Sequence, residues 1–92
     1  MNPCPADIAR LSLLVQRLLD AEVLPDLDGA VLMRTTEAVR RSLEEGNADA
    51  VRRHVEQVAR FTAALVCTGV IEVADGRAVL EATRRLLAVD RD

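Results

Sequence analysis

Ninety-two residues with a formal net charge of −3 suffice for one domain around one core. Half of them are hydrophobic but only one is aromatic, which excludes a sheet rich in aromatics and favours packed helices of Leu, Val and Ala. All 12 basic residues are Arg, interleaved with 15 acids, so no nucleic-acid partner is expected. No apolar run approaches the roughly 20 residues of a membrane span, so no membrane role is expected either. The Arg, Ala, Val and Asp bias is that of a GC-rich bacterial genome.

The first residues, MNPCPADIAR, lack the basic and then apolar pattern of a signal peptide, and the chain is expected to be cytoplasmic. In that compartment Cys4 and Cys67 do not form a disulfide framework. Residues 1–5 are expected to be a flexible leader on a single domain of residues 1–92. Pro5 suits a first helical turn, with Asp7 near its positive end. Helix 1 then runs to about Ala21 on a stripe of Ile8, Leu11, Leu14, Val15 and Leu18.

Val23 to Asp28 is a connection punctuated by Pro25. Helix 2 is expected from about Leu27 to Glu45, with Val31, Leu32, Thr35 or Thr36, Val39 and Leu43 inward. Gly46 and Asn47 read as a C-terminal glycine followed by an N-cap, too tight for anything but an antiparallel hairpin. Helix 3 carries Val51, Val55, Val58, Thr62 and Leu65 on one stripe, flanked by His54 and Phe61. From Phe61 to Ile71 no residue is charged, which places helix 3 at the centre of the bundle. Helix 4 is expected from about Val73 to Val89, with Val79, Leu80, Thr83, Leu86 and Leu87 inward and Arg77, Glu81, Arg84 and Arg85 outward. The fold is thus an all-α, antiparallel four-helix bundle.

An internal echo suggests two related hairpins. Val23-Leu24 followed by Asp28-Gly29 recurs 47 residues on as Val70-Ile71 followed by Asp75-Gly76. Glu37 to Arg41 also resembles Glu81 to Arg85, at a different offset. Gly46-Asn47, the run Val58-x-x-Phe61-x-x-x-Leu65, Gly69-x-Ile71 and the Ala/Leu pattern to Leu87 together resemble the FIMAH type of small helical domain. That type is appended to secreted bacterial hydrolases and surface proteins. The resemblance spans roughly Asp20 to Ala88, and it implies a helical fold with an extracellular accessory role beside an enzyme or glycan.

No enzymatic activity, cofactor or metal is expected. His54-x-Glu56 resembles the start of a zinc deaminase motif, but the Pro-Cys-x-x-Cys partner is missing and residues two apart on a helix diverge. Cys67 sits in a neutral, apolar stretch and reads as a buried, inert thiol. The four glycines stand singly at helix ends and build no phosphate loop. Glu37 with Arg41, Glu56 with Arg60 and Glu81 with Arg85 have the acid-first spacing of an exposed helical ion pair. Arg40, Arg41, Arg52 and Arg53 flank the tight turn and could meet an acidic partner.

The expected function is a non-catalytic protein-interaction or assembly module, an accessory or regulatory protein. Its rivals are the appended glycan-associated role and a small-molecule carrier with an apolar pocket between helices. Leu13 and Leu19 on helix 1, and Ala63, Ala64 and Val66 on helix 3, exceed what their stripes need. Exposed together they would make an apolar patch of several hundred Å², which a homodimer would cover. As the only aromatic, Phe61 is expected at the heart of the core, where Phe61→Ala costs about 3–5 kcal/mol.

Overall fold

A computed structural model describes residues 5–88 and is all-α. Helix α1 spans Pro5–Asp20, α2 Asp26–Glu44, α3 Ala48–Cys67 and α4 Val73–Ala88. Cys4 and Pro3, and Val89 at the expected end of helix 4, lie outside the described residues.

The hairpin between α2 and α3 is built as its dipeptide requires. Gly46 adopts a φ of +71°, open to glycine at little cost. Its N–H donates to the Leu43 carbonyl at 3.0 Å, and the Asn47 N–H donates to Ser42 at 3.0 Å, the paired bonds of a Schellman end. The Asn47 side chain then accepts from the Ala50 N–H at 3.1 Å and starts α3.

The four helices form a ring. Each packs against its two neighbours, and the diagonal pairs, α1 with α3 and α2 with α4, make no close backbone approach. Helix α3 is therefore one corner and not the centre. The core is aliphatic, with Leu11, Leu32, Val39, Val55 and Val58 wholly buried. All five residues of the α3 stripe are buried, and Ser42 on α2 and Ala82 on α4 join them.

Two further expectations change with the ring. Phe61 is only half-buried, on the side of α3 that turns towards α2. Cys67 is exposed. A corner helix meets neighbours over only part of its circumference, so its outermost residues face solvent whatever their polarity. The neutral run from Phe61 to Ile71 was a sound sign of an apolar helix but not of a surrounded one.

The repeat is structural. Helices α1 and α3 end 47 residues apart, at Asp20 and Cys67, and α2 and α4 begin 47 apart, at Asp26 and Val73. At that same offset, Ile8 answers Val55, Leu11 Val58, Leu18 Leu65, Leu32 Val79, Thr36 Thr83 and Val39 Leu86, all buried. Even the left-handed turn position recurs, with Glu22 at φ +57° and Gly69 at φ +77°. The Glu37 and Glu81 segments do not share this register, so their similarity is not part of the repeat.

Both elbows close on a glycine. A Cβ at Gly29 would lie 3.1 Å from Leu19 Cδ2, whereas one at Gly76 would lie 2.1 Å from Val66 Cγ2. Leu19 can swing its terminal methyl, but a β-branched valine in a helix has one strongly preferred rotamer. The two halves also differ at Val15 and Thr62, since the buried Thr62 hydroxyl has no hydrogen-bond partner.

Five substitutions test this packing by thermal or denaturant unfolding. Half burial lowers the expected cost of Phe61→Ala to roughly 1–2 kcal/mol, below that of Leu11→Ala at about 2–5 kcal/mol. Gly76→Ala should destabilise by about 1–3 kcal/mol despite alanine's helix propensity, while Gly29→Ala should range from neutral to about 1 kcal/mol stabilising. Thr62→Val, which copies Val15, should stabilise by about 1 kcal/mol by removing an unpaired buried hydroxyl.

Candidate functional site

The α2–α3 face carries two stripes that the core pattern does not explain, exposed except at the half-buried Ala38. On α2 they are Leu27, Val31, Arg34, Ala38 and Arg41, and on α3 Arg53, Gln57, Arg60, Ala64 and Cys67. Each stripe alternates steps of four and three residues, the spacing that keeps side chains on one helical face. Neither contains an acid.

Because the helices are antiparallel, the stripes meet end to end. Val31 and Thr35 line one shallow hollow with Phe61, Arg60, Ala64 and Gln57. Arg60 is the one arginine lining this hollow. Arg34, Ala38 and Arg41 line a separate hollow on α2 with Ala30, Met33 and Glu37.

The other arginines are engaged elsewhere. Arg40 Nη1 donates to Glu44 Oε1 at 2.6 Å, and its Nε donates to Glu37 Oε1 at 2.9 Å. The hydrogen bond from Arg40 holds the Glu37 carboxyl below its ordinary pKa and raises that of Arg40. Arg52 Nε reaches Glu56 Oε1 at 3.3 Å. These pairs replace the expected Glu37–Arg41 and Glu56–Arg60 pairs, and no ion pair joins Glu81 to Arg85 among the described residues. Among those residues Arg34, Arg41, Arg53 and Arg60 make no ion pair, although the charge of Arg41 also helps to lower the Glu37 pKa.

Of the four arginines expected to meet an acidic partner, Arg40 and Arg52 are held in ion pairs, and Arg41 and Arg53 make none among the described residues. Arg60, which lines the α2–α3 hollow, was not among them.

The five residues expected to form one dimer surface are not brought together. Leu19 packs on Gly29 and Val66 on Gly76. Leu13, 53% exposed, and Ala64 lie on helices at opposite corners of the ring. Ala63 is half-buried on the side of α3 towards α4.

His54 is half-buried with Nδ1 3.2 Å from Gln57 Oε1, and no group of three or more metal-binding side chains occurs among the described residues. No helix among them is long and apolar enough to cross a membrane. No protein family, curated protein or solved structure matches the chain.

Proposed function

We propose that this chain is a non-catalytic helical module that binds another protein through the α2–α3 face. One observation carries the reading. Val31, 37% exposed, lines a shallow hollow with the half-buried Phe61 and the exposed Ala64, and Leu27, 76% exposed, stands one turn further along α2. Such clustering costs free energy in water and is relieved by a partner. A few hundred Å² of apolar surface covered at roughly 25 cal/mol per Å² contributes several kcal/mol before the entropic cost of association.

The partner is a different protein. A twofold dimer through this face would bring the arginines of one copy towards those of the other, and like charges in an interface oppose association. Light scattering after size exclusion should therefore give a mass near 10.0 kDa at micromolar concentration.

The paired variant Leu27→Glu with Val31→Glu tests the face directly. Both side chains are exposed, so the helical circular dichroism should be unchanged. Immobilised wild-type chain should retain a partner that the double variant loses. Retention of the same proteins by both forms would exclude this face.

A further inference from the structure

We infer that the chain associates with itself head to tail at high concentration, the hollow at the α1–α2 elbow of one copy seated against the α4 hollow of the next. This contact lies apart from the α2–α3 face and goes beyond the docking reading above.

The repeat of 47 residues reaches the surface as well as the core. Val66, Val73, Arg77, Leu80, Glu81 and Arg84 line one shallow hollow on α4. Their counterparts 47 positions earlier are Leu19, Asp26, Ala30, Met33, Arg34 and Glu37. The first four of these line a hollow at the α1–α2 elbow, together with Glu22. Arg34 and Glu37 line the adjoining hollow along α2, which shares Ala30 and Met33 with the first. Helices α2 and α4 are diagonal in the ring, so the two sites lie on opposite sides of the bundle.

Shape repeats between the halves, but charge does not. Arg34 is answered by Glu81 and Glu37 by Arg84, so the signs are exchanged. Asp26 is answered by the apolar Val73, Ala30 by Arg77, and Glu22, at φ +57°, by Gly69. The elbow hollow is thus lined by two acids, Glu22 and Asp26, and by no base. The α4 hollow is lined by two bases and the single acid Glu81. All five of these charged side chains are exposed, and none makes an ion pair among the described residues.

Unlike hollows therefore attract. Two elbow hollows in contact would set Glu22 and Asp26 against their own copies, and two α4 hollows would do the same to Arg77 and Arg84. Pairing one kind with the other brings acids to bases. Each also offers an apolar side chain for the other to cover, Met33 at 54% exposure and Val73 at 60%. Because the two sites lie on opposite sides, each added copy leaves one of each kind free, and the contact repeats along a line instead of closing. Interfaces below about 1,200 Å² give weak, transient association, and exposed ion pairs add little to it. The chain therefore stays near 10.0 kDa at micromolar concentration and associates with a Kd of about 1 mM.

Charge exchange between variants of the full chain tests the contact. In sedimentation equilibrium at about 1 mM, the wild-type chain should show a mean mass of about twice 10.0 kDa, falling towards the monomer at high salt. Glu22→Arg with Asp26→Arg makes both hollows basic, and Arg77→Glu with Arg84→Glu makes both acidic. All four positions are exposed, so the helical circular dichroism should be kept. Each reversed variant alone should remain near 10.0 kDa, and their equimolar mixture should recover at least the wild-type mass. The milder pairs Glu22→Gln with Asp26→Asn and Arg77→Gln with Arg84→Gln should each weaken association at least about 3-fold.

A wild-type chain that stays at 10.0 kDa at that concentration overturns the inference. So does a reversed variant that still associates alone, which would mean that like hollows pair, or a mixture no heavier than its parts. Association lost with Leu27→Glu and Val31→Glu but kept by the charge variants would overturn it too, and would move the contact to the α2–α3 face. Binding of a poly-glutamate peptide to a monomeric wild type, lost with Arg77→Glu and Arg84→Glu, would instead assign the α4 hollow to a foreign acidic partner.

Discussion

The constraint on which the rest depends is the closure of each elbow onto a glycine. Val66 lies where a Cβ on Gly76 would have to go, and Leu19 lies against Gly29 in the same way. This contact brings the end of one helix onto the first turn of the next. Once both elbows are closed, each buried stripe is presented at a fixed height. The equal offset of 47 residues then stacks the aliphatic layers of the two hairpins against each other. The tight turn at Gly46 joins the hairpins, and the ring follows.

Closing the ring also sorts the arginines. Adjacent residues on a helix diverge by about 100°, so Arg40 and Arg41 cannot share a face, nor can Arg52 and Arg53. Arg40 and Arg52 find acids on their own helices, in Glu37 and Glu44 or in Glu56. Those exposed ion pairs add little stability. Glu37 also feels the charge of Arg41, so one carboxylate serves both arginines of that pair.

Phe61 links the two properties. It stands at the edge of the core, with one side against the α2–α3 seam and the other lining the hollow. A wholly aliphatic core needs no aromatic at its centre, because β-branched and Leu side chains fill the interior. The single large ring is instead half-buried beside Val31 and Thr35 of α2. Gly46 and Asn47 serve the turn, and Val58, Leu65 and Ile71 are buried.

Local information determined the four helices, their capping and the buried stripes. Periodicity and the turn dipeptide act within a few residues, so Val51, Val55, Val58, Thr62 and Leu65 were legible as one face. The 47-residue echo was legible for the same reason, because elbow residues repeat in kind. The tertiary structure alone decided what surrounds each helix. No local pattern distinguishes a central helix from a corner one, and that difference exposed Cys67, moved Phe61 to a seam and separated Leu13 from Ala64. The α2–α3 hollow belongs to the same category. Val31 and Phe61 lie 30 residues apart and line one hollow only because two helices pack antiparallel about Gly46. A site made by juxtaposition has no signature in either segment alone.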